Sequence, residues 1–155
     1  MNFVNFDLTR VIFSQRTKYD SFLTRLKLNI FKDVDSIPAG AYYPSMIDDA
    51  IEQCSVFLVV IGPDWLTVDN KTGKPRLNNV KDVVRIEVES ALKRAIERQL
   101  TVIPIFVRKG EIPDADELPE NLEQLVHFTG ISIRPDPDFQ NDMNHLIAAL
   151  KKYLE

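Results

Sequence analysis

The hydrophobic positions of this chain follow two alternating rhythms. Short β-branched or aromatic runs, Val11-Ile12-Phe13, Asn29-Ile30-Phe31, Val56 to Ile61, Val102 to Val107 and Ile131-Ser132-Ile133, read as five strands. The third and fourth are continuously apolar, as strands covered on both faces should be. Between them lie stripes at i, i+3, i+4 and i+7 spacing that predict helices. These are Tyr19, Phe22, Leu23 and Leu26; Met46, Ile47, Ala50, Ile51 and Cys54; Val80 to Ile96; and Phe139, Met143, Leu146, Ile147 and Leu150. Strands and helices alternating from end to end predict an α/β fold with a parallel sheet of βαβ units. Two connections break the rhythm. Gly62 to Asn79 holds Pro63, Gly73 and Pro75, placing a long polar loop directly after the central strand, where α/β proteins put function. Lys109 to Glu120 holds Gly110, Pro113 and Pro119 amid acidic residues and reads as a surface excursion with at most a short helix after it.

With 155 residues, 45% of them hydrophobic, the chain has the size and apolar content of a single domain over residues 1–155. No repeat or linker divides it. The net charge of −4 and pI near 5.2 leave no positive excess to neutralise phosphates, which argues against direct binding of nucleic acid. One cysteine and two histidines cannot assemble the usual zinc sites or an intrachain disulfide, so no metal is expected and a reducing, cytoplasmic setting fits. The longest apolar run, Val56 to Ile61, falls far below the ~18 residues that would cross a bilayer. No membrane association is expected.

Several chemistries drop out on inspection. The chain carries neither the glycine-rich dinucleotide fingerprint nor a P-loop. His127 and His145 lie off the strand ends and read as surface or boundary histidines, and Cys54 reads as a small core residue. A phosphoacceptor receiver needs acids at the ends of strands one and three, where this chain has Ser14-Gln15 and Gly62-Pro63. Glu87 is the unusual residue. With Val80 at zero and about 100° per residue, Glu87 falls near −20°, between Val83 and Val84, in the middle of the apolar stripe. Glu89 falls near 180°, on the side expected to face solvent. A carboxylate on an apolar face either lines a cleft or complements the helix dipole from the first turns, and periodicity leaves both readings open.

Three ordered segments carry a resemblance. Phe31-Lys32-Asp33-Val34-Asp35-Ser36-Ile37-Pro38-Ala39-Gly40, Val59-Val60-Ile61-Gly62-Pro63-Asp64-Trp65-Leu66 and Asp82-Val83-Val84-Arg85-Ile86-Glu87-Val88-Glu89-Ser90-Ala91-Leu92 together resemble the bacterial Toll/interleukin-1 receptor (TIR) domain family, from about Asn29 to Leu150. The resemblance implies a flavodoxin-like sheet of order 2-1-3-4-5 with helices on both faces and a crevice at the carboxyl ends of strands one and three. Catalytic members of that family cleave NAD between nicotinamide and ribose, and their catalytic glutamate maps onto Glu87. By the same mapping Ser14 and Arg16 after strand one, Asp33, Tyr42 and Trp65 are candidate substrate-binding residues. Trp65 either walls the cleft or closes the sheet edge, and Asp33, Asp35 and Ser36 either bind a ribose or shape the BB loop.

The resemblance thus implies an NAD glycohydrolase or cyclase, with NAD as substrate and no cofactor, acting as an assembly-activated antiviral defence effector. Self-association, or contact with other TIR domains, would run through the BB loop, Asp35 to Tyr42. The alternative is a non-catalytic TIR adaptor. Its support is that Gln15 and Val83 stand where many catalytic members carry aromatics, and that Arg16 to Leu28 makes a short first crossover. An enzyme like the nucleoside 2-deoxyribosyltransferases would also use a glutamate but has no motif here.

Overall fold

The computed structural model describes residues 11–13, 39–63, 65–66 and 73–154. The strand expected at Asn29 to Phe31, the first helix, Ser14, Arg16, Asp33 and residues 35–38 of the BB loop lie outside the described residues. Four strands are described: β1 (Val11–Phe13), β2 (Val56–Ile61), β3 (Thr101–Val107) and β4 (Ile131–Ile133). All pair in parallel in the order β1-β2-β3-β4, with Val11 opposite Val56, Val56 opposite Thr101 and Ile105 opposite Ile131. This is the order implied by the resemblance with its second strand left aside.

Helices α1 (Tyr43–Glu52), α2 (Val83–Ile96) and α3 (Phe139–Leu154) cover both faces. The alternation of side chains along β2 explains the division. Val56, Leu58 and Val60 face α3 with Ile103, Ile105 and Val107, meeting Met143, Leu146 and Leu150. Phe57, Val59 and Ile61 face the other way, onto Ile47 and Ile51 of α1 and Val84, Val88 and Leu92 of α2. All six side chains of β2 are fully buried, so the run that looked apolar without alternation is the central strand. At about 1.5–3 kcal/mol for each large side chain removed from water, this strand supplies the densest part of the hydrophobic stabilisation.

The helix ends depart from the periodic stripes. The stripe that opens at Val80 becomes helix only at Val83, because Asp82 caps it by accepting a hydrogen bond from the Arg85 amide, and Val80 is left 67% exposed. Cys54 is buried as expected, yet it lies beyond the end of α1, just before β2. At the far end of α2 the chain turns through Arg98 at φ 60°. The amide of Arg98 donates to Ala95 and that of Gln99 to Arg94, the two bonds of a Schellman turn. The Lys109 to Glu120 excursion contains a short 3-10 turn, Ala115–Glu117, and a longer 3-10 helix, Glu120–His127, follows it. No helix among the described residues is long and apolar enough to cross a membrane.

Candidate active site

Glu87 occupies the second turn of α2 and is only 6% exposed. Val84, Val88 and Ala91, which share its stripe, are buried against the sheet, so the mid-stripe position read from periodicity is realised. Glu89 corrects the expectation made for it. It is half-buried rather than turned to solvent, bonded to the Asn121 amide group and 3.9 Å from the Arg85 guanidinium. The reason is that the Glu120–His127 segment packs on that flank of α2, which a helix-by-helix reading does not foresee.

The turn bearing Glu87 is fixed from three directions. Before it, Asp82 both caps the helix and pairs with Arg76 at 3.0 Å. Arg85, itself buried, reaches back to donate from Nη1 to the carbonyls of Leu77 and Asn78, each at 3.1 Å. These bonds tie the end of the long loop after β2 to the first turn of α2. On the side of α1, Tyr43 Oη donates to the Lys81 carbonyl at 3.3 Å. One helical stretch further on, Asp48 accepts from Ser90 Oγ at 2.5 Å and pairs with Arg94 at 3.1 Å. The Ser90 hydroxyl, helped by Arg94, holds the Asp48 carboxyl below its ordinary range. Arg94 is therefore part of a polar seam between the two helices.

Of the other candidate residues, Trp65 and Tyr42 are described. Trp65 is 3% exposed and belongs to the same core cluster as Val84 and Val88. It also borders a recess of about 280 Å³ with Lys109 and Glu111, and its buried Nε1 has no hydrogen-bond partner among the described residues. Tyr42 stands at the start of α1, after a turn in which Gly40 takes φ 87°, and its side chain is 73% exposed. The structure gathers Trp65 and the residues flanking Glu87 into one layer and leaves Tyr42 on the surface.

The excluded nucleophiles stay excluded for physical reasons. Burial pushes the Cys54 thiol up to about 12, far from a reactive thiolate, and its Sγ donates to the Ala50 carbonyl. His127 and His145 are exposed. Among the described residues no group of three or more His, Cys, Asp or Glu side chains is placed to hold a metal ion.

Sequence reasoning missed Arg85, Arg76 and Asp48. Asp82 carried a capping signal, but Arg76 itself and the carbonyl partners of Arg85 lie in a loop whose course no periodicity reveals.

A doubly wound parallel sheet with a buried glutamate in the helix after its central strand defines the class of protein to which this chain is to be compared. Residues 17–147 match the family model described as TIR domain, and the chain belongs to that family. It is similar to the NAD(+) hydrolase sarm1 of Drosophila melanogaster, 26% identical over 106 residues, which are 67% of this chain and 7% of that protein. It is also similar to the NAD(+) hydrolase tir-1 of Caenorhabditis elegans, 30% identical over 103 residues, 66% of this chain and 10% of that protein. The chain thus spans a tenth or less of the length of these animal relatives. Among solved structures, the TIR domains of the activated Roq1 resistosome superpose with a TM-score of 0.56 at 13% identity, covering 92% of this chain and 95% of theirs. That likeness supports the fold.

Proposed function

We propose that this TIR domain hydrolyses or cyclises NAD, with Glu87 as its catalytic residue. The observation that carries the proposal is a glutamate 6% exposed in the apolar stripe of α2, in a chain whose relatives are named NAD(+) hydrolases. The chemistry suits a single carboxylate. When the bond between the ribose anomeric carbon and the pyridinium nitrogen breaks, its electron pair returns to the ring and nicotinamide leaves neutral, so no general acid is needed. Glu87 would hydrogen-bond the ribose hydroxyls and stabilise the oxocarbenium-like centre by charge. Water then adds to that carbon and loses a proton, giving ADP-ribose, or an adenine nitrogen adds instead and closes a cyclic product. Ser14, Arg16, Asp33, Tyr42 and Trp65 belong to the same proposal as substrate contacts.

Assembly through the BB loop, with NAD depletion as the effector step of a bacterial defence response, extends this reading. Its support is the exposed Tyr42 ring and the Gly40 turn at the end of that loop. The same exposed surface favours the second reading, an adaptor that docks on other TIR domains without chemistry. Incubating the protein with NAD, with and without a crowding agent, separates the two: nicotinamide release supports the enzyme, and its absence under both conditions supports the adaptor.

A further inference from the structure

A groove of about 570 Å³ opens at the amino ends of β3 and β4, the opposite edge of the sheet from the loop that leaves β2. Its floor is apolar, formed by residues such as Leu100, Phe128 and Ile131. Its polar lining comprises Arg98, Thr101, His127, Thr129 and Tyr153. Among the described residues no carboxylate lines it, although the chain as a whole has 23 acidic against 19 basic residues. A mostly apolar concavity with a few convergent polar groups is the usual form of a small-molecule site.

Arg98 is the informative residue. Arg76, Arg85, Arg94 and Arg134 each sit in an ion pair, whereas Arg98 makes none among the described residues. It also occupies the position of the Schellman turn, φ 60°, where glycine is favoured and any residue that carries a Cβ is disfavoured. A guanidinium without an ion-pair partner among the described residues is thus held, against backbone preference, at the rim of a groove that no described acid lines.

We propose that this groove binds a small amphipathic anion, an aromatic body lying on the Leu100, Phe128 and Ile131 floor with its carboxylate or phosphate at Arg98 and His127. The inference is independent of the Glu87 chemistry, because it concerns the other edge of the sheet.

AMP serves as the probe, with adenosine, inorganic phosphate and 2-naphthoate in parallel, read by amide NMR shifts on the whole chain. AMP is expected to shift Arg98, Thr101 and residues 127–131 saturably. Adenosine and phosphate, each lacking half of the ligand, bind about tenfold more weakly or worse. Naphthoate binding as well as AMP assigns the natural ligand to the aromatic carboxylates; naphthoate binding poorly assigns it to the phosphates. Arg98→Gly removes the charge at a position that accepts glycine, so AMP affinity falls about tenfold or more while the melting temperature holds or rises. No saturable shift at 10 mM AMP, shifts confined to residues 84–91, or groove binding unaltered in Arg98→Gly would overturn the proposal. So would groove shifts that follow protein concentration and ignore AMP.

Discussion

Ser90 on α2 donates its hydroxyl proton to the Asp48 carboxylate on α1 across 2.5 Å, one turn beyond Glu87. With Tyr43 bonded to Lys81 before Glu87, the two helices are joined on either side of the proposed catalytic turn. The glutamate is thereby carried on a helix that cannot tilt against its neighbour without breaking hydrogen bonds.

Ser90→Ala tests that seam. Loss of one such hydrogen bond costs about 0.5–1.5 kcal/mol. We expect a lowered denaturation midpoint with an unchanged m-value, and faster amide exchange at the α1–α2 contact. A midpoint equal to that of the parent chain would mean that Arg94 alone holds Asp48.

Gly110 has a different role. A Cβ there would lie 2.2 Å from the Ile61 carbonyl oxygen and 2.9 Å from the Gly62 Cα, so the chain after β3 is pressed onto the end of β2. Since backbone atoms cannot yield as a flexible side chain would, Gly110→Ala should destabilise by about 1–3 kcal/mol. Gly73→Ala is the comparison, with open space around its Cβ and only the cost of its φ of 67°. Chemical denaturation of both variants checks the ranking.

Acid sensitivity should concentrate at the start of α3. Asp142 is buried and accepts from the amide, Nε and Nη2 of Arg134, each at 2.9 Å, which lowers its carboxyl to about 2 from an ordinary value of 3.8. Because the folded form holds the proton more weakly than the unfolded chain, this pair contributes stability fully above about pH 4 and loses it as pH falls through about 2. The melting temperature of Asp142→Asn should therefore lie below that of the parent by an amount that is greatest above about pH 4 and narrows toward pH 2. A gap that does not change with pH would contradict the assignment.

The parts of this architecture that were legible are those set by local period. β2 and β3 were visible as unbroken apolar runs, α3 as a clean stripe, and Glu87 as a carboxylate inside one. The start of α2 was not, because Val80 fits the period while the cap at Asp82 decides where hydrogen bonding begins. Glu89 was misplaced because a distant 3-10 segment covers its flank, and Arg85 was missed because its partners are loop carbonyls. Trp65 was recognised as an aromatic of the carboxyl edge, but its depth comes from the core cluster it shares with Val84 and Val88 of α2. The cap at Asp82 is a local contact that overrides the period, whereas the contacts that decide Glu89 and Arg85 are non-local, and a period of about 3.6 residues carries no information on them.

The central claim rests on one side chain, and nicotinamide release from NAD by Glu87→Gln tests it most directly. Glutamine keeps the shape of the side chain and removes the charge, and loss of such electrostatic stabilisation costs ~100- to 1000-fold in rate. Glu97→Gln, an exposed carboxylate at the end of the same helix, is the control and should change little. The parent chain and Glu87→Gln are expected to melt alike, the parent and Glu97→Gln to release nicotinamide, and Glu87→Gln to be slower by about two orders of magnitude or more. Equal release by the parent and Glu87→Gln would contradict it and leave Glu87 as a charge that only complements the start of α2.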